Sequence, residues 1–130
     1  MSTTTTCQLI PVEVVTQALG GTLISPPRPF HDDYLGDGCQ YDAGPDRTGR
    51  ARFGYAAIAP ITSFEQAKMM GPVTSIENVG DAAFTIDGED AQQLWVLVKG
   101  RGAIVVAIGD VPNPGGARQM AGYLVAAVQA

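Results

Sequence analysis

Three polar residues in one segment offer the most direct route to acid–base chemistry. His31 stands beside Asp32 and Asp33, and an imidazole next to a carboxylate can act as a general base. Adjacent loop residues rarely face one another, however, and no serine or cysteine nucleophile is identifiable beside them. Asp81 follows a glycine, where an aspartate commonly makes a turn by bonding its own backbone. We interpret these residues as loop and turn positions, and keep His31, Asp32 and Asp81 as the candidates to test for catalysis.

Acidic and cysteine side chains raise the question of a metal ion. Asp32, Asp33, Asp37, Asp42 and Asp46 form a loose acidic set, and calcium takes about six to eight oxygen ligands from such loops. Their spacing does not match an EF-hand. Zinc needs a tetrahedral ligand set, and the sequence has one histidine and two cysteines. The glycine-rich segments match neither a P-loop nor a dinucleotide fingerprint. The sequence therefore predicts no metal site and no cofactor.

Aromatic and arginine side chains in the first half of the chain suggest binding. Phe30, Tyr34 and Tyr41 are followed by Arg47 and Arg50. Rings supply contact area and arginines supply directed polar contacts. Loops on a rigid scaffold commonly carry binding. The sequence predicts that these five residues form a ligand or partner surface, and ordinary core and rim packing of the rings is the alternative.

Two cysteines, Cys7 and Cys39, give a weak signal for a disulfide framework. Cys7 precedes the first helix signal and Cys39 leads into a predicted strand, so a bridge would tie the N-terminal element to the sheet. Two buried free thiols, which behave as small hydrophobes, are the alternative. The residues by themselves leave both readings open.

Charge and length exclude several classes of protein. The chain has 130 residues, eight lysines and arginines, and a formal net charge of −5. Nucleic-acid binding and adsorption to anionic lipid both need clustered basic residues, so we expect neither. No apolar run reaches the roughly 20 residues of a transmembrane helix. We predict a flexible Thr-rich tether over 1–6 and a single domain over 7–130.

Hydrophobic periodicity predicts alternating groups of helices and strands. Helices are predicted over 11–19, over 63–70 and after Asn113-Pro114, and strands over 22–25, 39–42, 51–59, 82–86, 94–98 and 103–108. The runs 94–98 and 103–108 are almost wholly apolar, so both faces should be covered or the strands should lie centrally in the sheet. Trp95 should then be a core aromatic. Strands joined by hairpins, with helices between their groups, predict an α+β two-layer sandwich: a mostly antiparallel sheet with helices packed on one face.

Local signals predict where these elements begin and end. Ser63 with Gln66 makes a capping box, which would start the second helix at the serine. Prolines over 26–29 should break any strand ladder. The polar segment 31–38 is predicted to be a loop.

A combination of short motifs resembles a known family. The motifs are Cys7-Gln8-Leu9-Ile10-Pro11, Ala18-Leu19-Gly20-Gly21, Cys39-Gln40-Tyr41, Phe64-Glu65-Gln66-Ala67-Lys68 and Val79-Gly80-Asp81-Ala82-Ala83-Phe84, followed by an apolar hairpin and an Ala-rich helix. Together they resemble the small exported lipoproteins of actinobacteria, a domain family of unknown function. The chain is also distantly similar to the extracellular sensor domains of some actinobacterial receptor kinases.

The resemblance implies properties that the residues alone do not. It implies a paired Cys7 and Cys39, a Thr-rich tether to a lipid anchor, and a place outside the cell or in its envelope; it implies no catalytic residues. The sequence lacks the family's export signal and lipidated cysteine, so we expect that both were trimmed and that any membrane contact was through the lost anchor.

Three functional hypotheses follow. The leading one is a non-enzymatic, disulfide-stapled envelope domain that binds a small ligand or a partner protein. The second is a small-molecule-processing enzyme, which predicts a deep apolar pocket holding an Asp or His whose carboxylate pKa is raised. The third is a structural or assembly subunit, which predicts a large flat apolar patch.

Overall fold

Short helices alternate with groups of strands along the chain. The structure, a computed structural model, describes residues 6–19, 22–44, 52–69, 73–76, 80–87, 91–109 and 116–129. The helices in this described part are α1 (Thr6–Leu9), α2 (Val12–Leu19), α3 (Ile61–Lys68) and α4 (Gly116–Gln129). The strands are β1 (Arg28–Asp32), β2 (Gly36–Ala43), β3 (Arg52–Ala59), β4 (Thr74–Ile76), β5 (Ala82–Asp87), β6 (Ala91–Val98) and β7 (Gly102–Gly109).

The strands form one seven-stranded sheet in the order β1-β2-β3-β7-β6-β5-β4. Every neighbouring pair is antiparallel. The chain builds β1 to β3 as neighbours, crosses through α3 to the far edge, and returns strand by strand until β7 pairs with β3. The predicted α+β class with an antiparallel sheet and helices packed on it is confirmed.

The apolar run 103–108 explains the position of β7. All eight residues of β7 are buried, and the strand is the fourth of seven across the sheet. A strand that is apolar on both sides needs cover on both faces. The prediction that this run lies centrally and is covered is therefore confirmed. Its neighbour β6 carries Trp95, which is 0% exposed and is the core aromatic that the sequence predicts.

Alternate residues of each strand face two separate cores. We call the face that carries Cys39 and Val106 the first face, and the face that carries Val105 and Trp95 the second face. Helices α1, α2 and α4 contribute side chains to the first-face core, whereas α3 contributes to the second. The sheet thus has three helices of the described part on one side and one on the other.

The predicted C-terminal helix, α4, packs on the first face. Met120, Ala121 and Leu124 of α4 are each 0% exposed. Burial of a leucine or methionine side chain contributes about 1.5–3 kcal/mol to stability. On the second face, α3 uses Phe64 and Ala67, which are 1% and 0% exposed.

A disulfide fastens α1 to the sheet. Cys7 in α1 is bonded to Cys39 in β2, with 5.0 Å between their Cα atoms, so the pairing is confirmed. Beside it, Thr6 is 4% exposed, and its hydroxyl donates a hydrogen bond of 2.9 Å to the carbonyl oxygen of Asp37. Thr6, which the sequence assigns to the tether, therefore packs with the folded domain; residues 1–5 lie outside the described part.

The segment 31–38, predicted to be a loop, is instead the middle of a β-hairpin. All five residues of β1 pair with β2. Pro29 lies within β1, although prolines were expected to break the ladder here. That expectation was wrong because β1 is the outermost strand, and an edge strand tolerates a proline whose missing N–H costs no ladder bond. The strand predicted over 22–25 is reduced to an isolated bridge between Leu23 and Ala43.

Helix α3 begins at Ile61, two residues before the predicted capping serine. Its N-cap is Pro60, without a side-chain cap hydrogen bond. The Ser63 hydroxyl instead donates to the carbonyl oxygen of Tyr34 at 2.5 Å. The capping-box prediction was wrong because a tertiary contact uses the hydroxyl that the local motif assigns to the helix terminus.

We expect the double variant Cys7→Ala/Cys39→Ala to lower the free energy of unfolding by about 3 to 4 kcal/mol, because the unfolded chain regains the entropy of the open loop. Denaturant titration measures this, and reductant should lower the midpoint of the wild type but not that of the variant. Intact mass after alkylation should show two protected cysteines before reduction. Two readily alkylated thiols in the native protein would contradict the bridge.

Tyr41 provides a second test of the first-face core. Its side chain is 1% exposed, burial raises its pKa to about 12, and its hydroxyl has no hydrogen-bond partner among the described residues. Tyr41→Phe should leave the free energy of unfolding unchanged or raise it by about 1 kcal/mol. Tyr41→Ala should lower it by about 3–5 kcal/mol, because it leaves a cavity. A Tyr41→Phe loss as large as the alanine loss would show that the hydroxyl, rather than the ring, stabilises the core.

Candidate functional site

The β1–β2 hairpin forms one edge of the sheet, and a short turn joins its strands. The Asp32 carboxylate accepts hydrogen bonds of 2.8 Å from the backbone N–H groups of Tyr34 and Leu35, so the aspartate holds the turn. Gly36 ends the turn with φ 77°, and a Cβ atom there would lie 2.1 Å from the Ile58 carbonyl oxygen. Only glycine allows this close approach of the hairpin to β3.

Two aromatic side chains of the hairpin pack against the second face. The Phe30 ring lies over Gly38 and meets Tyr55 edge to face, with 6.0 Å between ring centroids. Tyr34 lies against Trp95 at 5.8 Å. Phe30, Tyr34 and Tyr55 are all half-buried, so each keeps part of its ring accessible. Part of each of these rings is therefore accessible on the second face of the sheet.

The hairpin also carries exposed, charged side chains. His31 Nδ1 lies 2.7 Å from Asp37 Oδ1 on the opposing strand, and these side chains are 68% and 80% exposed. The hydrogen bond to Asp37 and the negative charge of that carboxylate raise the pKa of His31 above its ordinary value. The N–H groups of Leu35 and Tyr34 lower the pKa of Asp32. Both shifts favour charged side chains on the hairpin.

The three candidates for catalysis do not form one site. His31 pairs with Asp37, and Asp32 is directed at the turn. Asp81 lies beside β5, which four strands separate from β1 in the sheet, and its carboxylate accepts a 2.7 Å hydrogen bond from the Lys99 N–H. Asp81 thus supports the β6–β7 turn rather than its own turn.

The five residues predicted to make contacts are only partly brought together. Phe30 and Tyr34 lie on the second face, where they flank the same sheet surface. Tyr41 lies in the first-face core, so its ring supplies no contact area beside them. Arg47 and Arg50 lie outside the described residues.

The predicted acidic set is likewise divided among separate roles. Asp32 holds the turn and Asp37 pairs with His31. Asp42 pairs with Arg28 at 2.6 Å. Asp46 lies outside the described residues. Within the part of the chain that the structure describes, no cluster of three metal-ligating side chains is found.

Sequence reasoning missed Ser63 and Arg28 as parts of this surface. Ser63 fixes the turn through the Tyr34 carbonyl oxygen, and Arg28 pairs with Asp42 two positions beyond its strand partner. Strand alternation could have placed Tyr55 on the second face, but the register of β1 was needed to bring Phe30 onto it.

Comparisons with known proteins give no relative that could indicate a function for this hairpin. No protein-family model, curated protein or solved structure matches the chain. Among the described helices, none is both long and apolar enough to cross a membrane.

We expect the single histidine to report the hairpin pair by NMR. The His31 ring protons should titrate above pH 6.5, and Asp37→Asn should lower the pKa, because it removes the hydrogen-bond acceptor and its charge. Asp33→Asn is the matched control and should change the pKa less. Since the folded pKa is raised, the pair stabilises the hairpin below about pH 6.5 and the contribution is lost as pH rises through the folded value. Equal effects of the two variants would contradict the pairing.

Proposed function

We propose that the chain is a non-enzymatic domain of the cell envelope, which binds a partner protein through the β1–β2 hairpin. The observation that carries the proposal is the Cys7–Cys39 disulfide. Such bonds persist in oxidising, extracytoplasmic compartments. Cys39 lies on β2 directly opposite Pro29 of β1, so the bond also anchors the strand that supports the hairpin.

The chemistry of the hairpin indicates what the partner offers. Asp32, Asp33 and Asp37 are exposed and outnumber His31, and the whole chain carries a net charge of −5. Complementary charge speeds association and selects partners, so a basic surface fits this edge. Half-buried Phe30 and Tyr34 supply accessible ring area on the second face of the same hairpin, as aromatic residues do in protein interfaces.

The electrostatics of the hairpin favour binding over acid–base catalysis. A catalytic carboxylate in an apolar pocket has a raised pKa, whereas backbone N–H groups lower the pKa of Asp32. His31 and Asp37 form an exposed pair in which neither side chain is shielded from water. These features suit a charged recognition surface.

The resemblance to actinobacterial exported lipoproteins supports the same location. In this proposal a tether and lipid anchor hold the domain at the membrane, and the hairpin edge faces a protein of the envelope.

Site-specific photo-crosslinking in the producing cells tests the proposal. Benzoylphenylalanine in place of Asp33 should give one discrete adduct on irradiation, because this position lies on the hairpin tip. The same residue in place of Gln119, exposed on α4, is the matched control and should give none. The adduct should fractionate with the envelope, and its cysteines should resist alkylation.

Different results would contradict the binding edge and the envelope location. Adducts at neither position, or equal adducts at both, would remove the hairpin as the binding edge. Recovery of the protein in the cytosol with free thiols would remove the envelope location. An adduct with the mass of a small molecule would replace the partner protein by a small ligand.

A further inference from the structure

The two faces of the sheet are held in place by different means. On the first face, α1, α2 and α4 share one core, and the disulfide joins α1 to β2 covalently. On the second face, α3 buries only Ser63, Phe64 and Ala67. Helix α3 packs on β6 and β7 without a covalent bond to the sheet, whereas α4 packs on the same two strands and also on α2.

Several residues of the second-face core are alanines, which give α3 little apolar area to pack against. The second-face core includes Ala57, Ala59 and Ala103, whose methyl groups bury little surface. Hydrophobic stabilisation scales with the apolar area removed from water. Most of the attachment of α3 then comes from the Phe64 ring, whose centroid lies 5.0 Å from that of Phe84.

The β1–β2 turn covers the rest of the same aromatic surface. Tyr34 lies 5.8 Å from Trp95, and Trp95 in turn stacks with Phe84 at 6.5 Å and 13°. The Ser63 hydroxyl, 2% exposed, donates to the Tyr34 carbonyl oxygen. This hydrogen bond joins α3 to the turn 33–35, and both elements carry a ring that contacts the Trp95–Phe84 stack.

We propose that α3 and the turn 33–35 open together as one lid over the Trp95–Phe84 stack. Opening separates Phe64 from Phe84 and Tyr34 from Trp95, while the strand ladder and the first-face core stay intact. The open form presents two stacked rings as a flat apolar surface. The turn 33–35 also carries Asp33 and Tyr34 of the proposed binding edge, but opening is measured on the free protein, so its tests do not depend on a partner.

Opening of the lid would leave the strand pairing and the first-face core unbroken. Strand pairing on β6 and β7 is made by the backbone and does not involve α3. The N-terminus of α3 follows directly from Pro60, which has an extended backbone and no side-chain cap bond. Local opening of this kind draws on the least stable parts of a fold, those with few buried apolar contacts.

Native-state hydrogen exchange on the whole chain tests the lid. Amides of 61–68 should exchange faster than those of β7 and α4, because an eight-residue helix released from the sheet does not keep its backbone hydrogen bonds. Exchange of 61–68 only at the rate of global unfolding would overturn the proposal.

A matched pair of variants separates the lid from general destabilisation. Ser63→Ala should raise the opening equilibrium of 61–68 by about 5- to 30-fold, because it removes the hydrogen bond to the partly buried Tyr34 carbonyl oxygen. Thr6→Val removes a comparable hydroxyl-to-carbonyl bond on the first face and should leave 61–68 unchanged relative to β7. Faster exchange of 61–68 in Ser63→Ala without a rise in Trp95 quenching would show that helix and turn do not move as one body.

Fluorescence of the single tryptophan gives an independent reading. Trp95 is 0% exposed when the lid is closed, so acrylamide should quench it poorly in the wild type. Quenching should rise in Ser63→Ala and not in Thr6→Val. Equal quenching in the two variants at equal global stability would overturn the lid even if exchange were ambiguous.

Discussion

The pairing of β7 with β3 is the interaction on which the rest of the structure depends. It joins the strands that precede α3 to those that follow it, and no other strand pair in the sheet links the two groups. The pairing brings together segments far apart in the chain, and its loop-closure cost is offset because β7 is buried along its whole length. Once β7 is central, both of its faces need cover, and the placement of every helix follows.

The two faces of the sheet are covered by different numbers of described helices, and only the first face has a disulfide. Among the described elements, three helices and a covalent bond close the first face, where Cys39 and Tyr41 are buried. One short helix and the turn of an edge hairpin close the second face in the same part of the chain. The first face therefore holds the covalent bond, and the second face carries the half-buried rings of Phe30 and Tyr34.

The hairpin presents different side chains on the two faces of the sheet. Phe30 and Tyr34 pack against the second-face core, while His31 and Asp37 form an exposed pair on the opposite side. Pro29 lies on the outer edge and offers no N–H to a further strand, which protects the edge from unwanted pairing. Binding at this edge would therefore depend on side chains rather than on strand addition.

Much of the fold could be read from local patterns. The apolar runs that became β6 and β7, the strand that became β3 and the C-terminal helix were predicted because burial on one or two faces imposes a period on the sequence. The strand β1 and the first residues of β2 could not be predicted in this way, although 39–42 was predicted to be a strand. Residues 28–38 are mostly polar or proline-bearing, and their strand pairing depends on β2, which in turn pairs with β3.

The candidate site, too, could be predicted only in part from the sequence. Residue types alone identified Phe30, Tyr34, His31 and Asp32 as worth testing, because rings and charges are the groups that make contacts. Only the tertiary structure separated Tyr41 from Phe30 and Tyr34, because side-chain parity along β2 sends Tyr41 to the opposite face of the sheet. Only it assigned Ser63 to Tyr34, since a hydroxyl on a helix finds its acceptor across space. The sequence by itself determined which segments must be buried; the tertiary structure decided which side chains meet, because pairing register is a property of strands that are distant in the chain.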